Sequence, residues 1–176
     1  MDEIVKAALQ KWPKVPHAYG WLGLDVRGDW YLRDEQAQAA GAFPRPRGSR
    51  IEHEGLRGFI ERNYEHDERG CWFFQNGPQR VYVELEAAPW VLRLHGEGLC
   101  THTGLDVEAR GTWLDDLGRL FVDTPHGLGL VHSQDVEAAA QLLDAGRWPE
   151  PQEMPFASMP ARFGYRLSPQ RAPGTL

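Results

Sequence analysis

From Arg80 to Leu85 the apolar residues fall on every second position, with Val81, Val83 and Leu85 on one side and Arg80, Tyr82 and Glu84 on the other. That is the period of a half-buried strand. The aromatic-rich run Cys71 to Gln75 precedes it, and Asn76-Gly77-Pro78-Gln79 lies between. Asn-Gly tolerates positive φ and Pro78 removes a ladder donor where the chain leaves the sheet, so the pair predicts a hairpin. Three other stretches follow a helical period. Ile4, Val5, Ala8 and Leu9 behind Asp2 predict a helix to about Lys11, ended by Trp12-Pro13. Ser49-Arg50-Ile51-Glu52 has the form of a capping box, so a helix is expected from Ser49 to about Tyr64, burying Leu56, Phe59 and Ile60. Ser133 is expected to cap a third helix carrying Val136, Ala139, Ala140, Leu142 and Leu143, closed by Gly146.

Further strands are expected over Tyr19 to Val26, Trp30 to Leu32, Trp90 to Leu94, Leu99 to Glu108, Arg119 to Asp123 and Leu130 to His132. Phe43 to Gly48 reads as loop, and Glu35 to Ala40 as a helical turn or loop. Arg-Gly-x-Trp occurs three times, with Trp30, Trp72 and Trp113 spaced 42 and then 41 residues apart. A fixed period of that size suggests one supersecondary unit used repeatedly. The expected fold is α+β: mostly antiparallel sheet from Trp-led hairpin repeats, with two or three packed helices. Residues 1–147 are read as a single domain with internal repeats. Residues 148–176 hold six prolines, which argue against regular structure, and are read as an extended Pro-rich arm packed on that domain.

Composition narrows the function classes. With 41% hydrophobic residues and seven Trp in 176 residues, the chain can bury a real core. A net charge of −6 argues against nucleic acid or an anionic membrane as partner. No apolar run reaches a membrane span, and the first residues lack a basic-then-apolar signal pattern, so a cytoplasmic location is expected. The two cysteines, Cys71 and Cys100, are then expected as reduced thiols.

Several residues in this order resemble known families. The predicted capping-box helix, then Arg69-Gly70-Cys71-Trp72-Phe73-Phe74, then Leu85-Glu86-Ala87-Ala88-Pro89-Trp90, with the stretch Lys11 to Asp34, resembles a proteobacterial family of unknown function. The layout is also similar to a second domain-of-unknown-function family, in whose Val-Glu-Asp-Ala-Pro-aromatic segment Leu85 here replaces Val and Ala87 replaces Asp. The second resemblance implies an α+β fold of repeated motifs and a signalling or ligand-responsive role. Neither supplies a catalytic residue.

Read for chemistry, the residues favour binding over catalysis. Cys100, His102 and His95 are the densest set of metal-ligand types, but no third or fourth ligand comes at a recognised spacing, so a buried Cys beside a surface His is the simpler reading. Glu84 with Glu86, and Asp115 with Asp116, read as exposed acids. No phosphate-binding glycine motif or serine elbow is present, and no cofactor is expected. Arg45, Arg47 and Arg50 around Ser49, at the start of a predicted helix, form a candidate anion pocket. Gln75, Asn76, Gln79 and Arg80 gather polar side chains at one hairpin end, a second candidate surface. The chain is therefore read as a non-catalytic ligand-binding or regulatory module of bacterial type, taking a small anionic ligand or a protein partner. A small enzyme or an interaction scaffold is the alternative.

Overall fold

A computed structural model describes residues 1–96 and 98–171 of the chain. Among these residues lie two open sheets, of six and seven strands, and five α-helices. The α+β class and the largely antiparallel pairing expected from the sequence are both present. The chain divides into two compact units. One comprises residues 1–25, 29–86 and those described from Tyr165 onward; the other comprises Val26–Gly28 and Ala87–Gly164.

The first unit runs α1 (Glu3–Lys11), β1 (Ala18–Leu24), β2 (Trp30–Leu32), α2 (Glu35–Ala40), β3 (Ser49–Arg50), α3 (Glu54–Arg62), β4 (Tyr64–His66), β5 (Trp72–Asn76) and β6 (Gln79–Leu85). Its sheet has the order β3-β2-β1-β6-β5-β4, with β1 parallel to β6 and every other pair antiparallel. The second runs β7 (Trp90–His95), β8 (Gly98–Thr101), β9 (Asp106–Val107), β10 (Gly111–Leu114), β11 (Leu120–Thr124), β12 (Gly127–Val131), α4 (Val136–Asp144), β13 (Gln152–Glu153) and α5 (Met159–Phe163). Read from β9, its order is β9-β8-β7-β12-β11-β10, with β7 parallel to β12 and β13 added beside β10. Strand for strand this is the arrangement of the first sheet: two three-strand meanders joined by parallel pairing of the first strand with the sixth.

The turns show what in the sequence drives the repetition. In Asp25–Asp29, Asp67–Cys71, Thr101–Leu105 and Asp115–Arg119, the first residue's amide donates to the fifth residue's carbonyl. The first residue's side-chain oxygen also accepts the fifth residue's amide, at 2.9, 3.1, 3.1 and 2.8 Å respectively. The fourth residue is always glycine, with φ of 83°, 73°, 82° and 72° in Gly28, Gly70, Gly104 and Gly118. These are short hairpin turns in which Asp or Thr satisfies amides and glycine takes the left-handed position. The Leu99 to Glu108 segment, expected as one strand, is such a hairpin. Trp30 and Trp72 open strands just after two of these turns, whereas Trp113 is the third residue of β10 and Gly111 lies within that strand. The turns beginning at Asp67 and Asp115 occupy equivalent places, between fourth and fifth strands, 48 residues apart.

Two helix boundaries differ from expectation. Ser49 does not cap a helix: Ser49 and Arg50 pair with Leu32 and Tyr31, the Ile51 amide donates to the Trp30 carbonyl at 2.8 Å, and Ile51 is buried. A capping box stabilises by about 1 kcal/mol, less than these ladder bonds and a buried isoleucine offer together. α3 instead starts at Glu54, where His53 Nδ1 accepts the Leu56 amide at 3.1 Å. Asp34 caps α2 by accepting the Ala37 amide. A short 3₁₀ turn, Ser133–Asp135, precedes α4. Beyond Trp148 the chain is more regular than its prolines suggested, because they sit where they do no harm. Pro155 flanks a 3₁₀ turn, Pro160 lies in the first turn of α5, and Pro169 opens the 3₁₀ turn Pro169–Arg171.

The turn glycines give a direct check. A Cβ at Gly118 would meet nothing within 4 Å, so Gly118→Ala loses only the ease of the left-handed conformation and should cost about 1 kcal/mol. Gly111 has no positive φ and an added Cβ would come no nearer than 3.6 Å to Trp113, so Gly111→Ala should stay within about 0.5 kcal/mol. Urea unfolding of the two variants measures the difference.

Candidate functional site

The sheet of the first unit has one strongly apolar face. Leu22 lies opposite Leu32 and Val83, Phe74 opposite Val81 and Tyr64, and Leu24 opposite Trp30 and Leu85. α3 packs on β5, with the Phe59 ring edge-on to Phe74 at 5.4 Å and Ile60 fully buried. A nine-residue helix cannot cover six strands. What remains between it and the β1–β2 part of the sheet is a groove of about 420 Å³.

Ala18, Leu22, Phe74 and Val81 form the floor of this groove from the sheet, and Ile51, Leu56 and Ile60 line it from the chain entering and forming α3. Trp21 and Leu32 complete the apolar lining and, with Leu56, stay 39%, 52% and 43% exposed in that order Trp21, Leu32, Leu56. Trp21 owes its place to an irregularity in β1. Between the pairs Ala18–Val81 and Leu22–Val83 the chain spends four residues on β1 against two on β6, and Gly20 takes φ 83° there. Such bulges re-aim side chains. Tyr19 is stacked on Tyr82 on the other side of the sheet, while Trp21 reaches the groove.

Asn76 and Gln79 close the lining, flanking the Gly77-Pro78 turn. The Gln79 amide nitrogen donates to the Pro16 carbonyl at 2.9 Å, leaving its oxygen as acceptor. Nothing that lines the groove titrates. It offers an apolar body and two uncharged hydrogen-bonding side chains, which suits binding and supplies no acid, base or nucleophile.

The sequence-predicted site residues are distributed as follows. The polar hairpin end divides between two faces, as strand alternation requires. Asn76 and Gln79 reach the groove. Arg80 lies over the Phe73 ring at 4.4 Å on the opposite face, and buried Gln75 donates to the Gly77 carbonyl. Arg45, Arg47, Ser49 and Arg50 are exposed and do not surround a helix start. Arg47 donates to both Glu86 oxygens at 3.1 Å and approaches Asp25 at 3.9 Å, while Arg50 pairs with Asp29 at 2.8 Å. Trp21, Leu32, Ile51 and Leu56 were not singled out from the sequence. The one signal available was a tryptophan between two glycines in a strand, Gly20-Trp21-Leu22-Gly23, where a bulge is readily formed.

Among the described residues no group of three or more His, Cys, Asp or Glu is arranged to hold a metal. Cys100 is a buried free thiol, pushed up by burial. Two of the three carboxylates lining a second depression, in the other unit, are committed to structure. Asp115 accepts the Leu117 and Arg119 amides and pairs with Arg119, and Asp116 accepts the Phe156 amide.

Comparison with known proteins agrees with this picture of a fold without an assigned chemistry. Residues 1–170 match the model of the family DUF2944, described as a protein of unknown function (DUF2946). The chain belongs to this family. No curated protein matches. Among solved structures, that of a DUF1285 family protein from Silicibacter pomeroyi DSS-3 is similar, with a TM-score of 0.51 at 13% identity over 81% of this chain and 85% of that one. Both findings accord with the two domain-of-unknown-function families that the residues resemble. At that identity the structural likeness speaks for the fold. No helix among the described residues is long and apolar enough to cross a membrane.

His102, in the second unit, provides a pH test of that unit's stability. Its Nδ1 accepts the Val91 amide at 3.1 Å, its Nε2 is shut off from solvent, and burial pushes its pKa from 6.5 down to about 3. Below the unfolded value the unfolded chain takes up a proton that the folded chain refuses. Stability from this residue is therefore full above about pH 6.5, falls as the pH drops toward 3 and then levels. His102→Asn keeps an acceptor for Val91 but cannot titrate, so its melting temperature should fall less steeply than the wild type's between those limits.

Proposed function

We propose that the protein is a non-catalytic binding module whose α3-covered groove takes a small uncharged molecule with an apolar body and one hydrogen-bonding head. The observation that carries this reading is the lining: nine apolar residues, then Asn76 and Gln79 at one end, in about 420 Å³. The volume suits a small ligand. A charged head would have to shed water with no opposite charge to receive it, which selects against ions. Binding would stabilise the first unit by an amount that rises with the logarithm of ligand concentration above Kd, which is how such a module could serve a regulatory role.

An anion site at the loop arginines is less well supported. An anion arriving at Arg47 or Arg50 must displace Glu86 or Asp29 from ion pairs already formed.

A series of straight-chain primary amides and the matching carboxylates, titrated by calorimetry at pH 7, tests the proposal. Amide affinity should rise about fourfold for each added methylene until the groove is filled, and each carboxylate should bind at least about tenfold more weakly. Leu56→Gln, a change at a half-exposed position, should weaken the longer amides most while leaving the fold intact. Affinity that ignores chain length, or carboxylates that bind as well as amides, would overturn it.

A further inference from the structure

The face of the first sheet opposite the groove carries a different chemistry. On β6, Val81 lines the groove, so Arg80 and Tyr82 point to the other side. There Tyr82 stacks on Tyr19 with centroids 4.6 Å apart and packs on Phe73 with the rings inclined at 63°. The Tyr82 hydroxyl donates to Asp67 Oδ2 at 3.0 Å and accepts from Arg69 Nη2 at 3.3 Å, while the Arg80 guanidinium lies on the same face over the Phe73 ring that packs against Tyr82. Arg69 is neutralised, since Asp67 Oδ2 takes its Nε and Nη2 at 3.1 and 2.8 Å. Arg80 forms no ion pair among the described residues.

The His17 ring stands edge-on to Tyr82 at 5.7 Å, placed there by the Gln79 bond to the neighbouring Pro16 carbonyl. The Arg69 guanidinium at the Tyr82 oxygen, the Arg80 guanidinium over Phe73 and the His17 imidazole thus lie around one ring pair, with the Asp67 carboxylate bound to Arg69. In a chain of net charge −6, this leaves a local excess of positive charge. We infer that Arg80, the guanidinium here that forms no ion pair among the described residues, and His17 beside it, next to the Asp67-bound Arg69, form a binding site for a phosphoryl oxyanion.

The ring of Phe73 covers one face of the Arg80 guanidinium and leaves its N–H edge to engage an oxyanion. The donors come from separate segments, Arg80 on β6 and His17 before β1, so they suit an anion with several oxygens to share among them. The ring of His17 is held less basic than usual by burial and then by Arg80 and Arg69. A bound anion cancels the arginines' field, so binding should draw a proton onto His17. The site binds without reacting: Cys71 nearby is fully buried, and its thiol is pushed up by burial.

Inorganic phosphate and phenyl phosphate, titrated at constant ionic strength while the His17 ring is followed by NMR, provide the test. Binding should raise the His17 pKa by about one unit. Arg80→Gln should weaken binding about tenfold, with the amide spectrum confirming its fold, and Arg45→Gln on the exposed proline loop should change nothing. In His17→Gln the proton uptake that accompanies binding, measured by calorimetry in two buffers, should fall below the wild type's by the share that His17 takes. Tighter binding of phenyl phosphate assigns the site to phosphate esters, and tighter binding of inorganic phosphate to the free ion. An unmoved His17, equal affinity in Arg80→Gln and wild type, or a loss found in Arg45→Gln instead would each overturn the inference. None of these readouts depends on the groove.

Discussion

Parallel pairing of a first strand with a sixth is the constraint on which each unit rests. β1 and β6 are separated by more than fifty residues in the chain, and parallel neighbours cannot be joined by a tight turn. Closing so long a loop costs entropy that only burial can offset. The first unit meets that cost on both faces of the pair. Leu22, Leu24, Val83 and Leu85 are buried on one side, and Tyr82, stacked with Tyr19, on the other. In the second unit Val91, Leu92, Leu130 and Val131 serve the equivalent pair, and Gly129 lies so close to Leu92 that a Cβ there would come within 2.5 Å.

The two units share strand order and the turn between fourth and fifth strands, so their differences show where specialisation entered. In the second unit the chain passes from β9 to β10 through residues 108–110 alone. In the first, the equivalent connection from β3 to β4 contains α3. The groove exists because of that inserted helix. The second unit has no helix in the corresponding connection.

The legible parts of this fold were those settled by near neighbours in sequence. The Cys71 to Leu85 hairpin, the extent of α1 and the closure of α4 at Gly146 depend on residues within a turn or two, and their expected forms agree with the structure, although of the α1 stripe Val5 is buried and Ile4 exposed. Ser49-Arg50-Ile51-Glu52 misled for the opposite reason. Its local preference for a helix start was overruled by Trp30, Tyr31 and Leu32, some twenty residues earlier, which hold it extended. The tryptophans drew attention to a period of about 42, while the equivalent Asp-x-x-Gly turns lie 48 apart. An indole fills space wherever the core allows, whereas a left-handed glycine with an acceptor three residues before it fixes a backbone. The groove was illegible because it is a space left over between elements. No local pattern encodes how much of a sheet a helix will fail to cover.

Alternation along β6 then explains why one short stretch contributes to two chemistries. Gln79 and Val81 belong to the groove, and Arg80 and Tyr82 to the cationic face, because neighbouring residues of a strand point in opposite directions. Gln79 is the residue common to both. It lines the groove, and its amide nitrogen holds the Pro16 carbonyl, one residue before His17. A groove ligand that took over that amide would release the segment that places His17 against Tyr82. A ligand that used only the Gln79 oxygen would leave it fixed. The choice of atom on one side chain therefore determines whether the two faces of the sheet act independently.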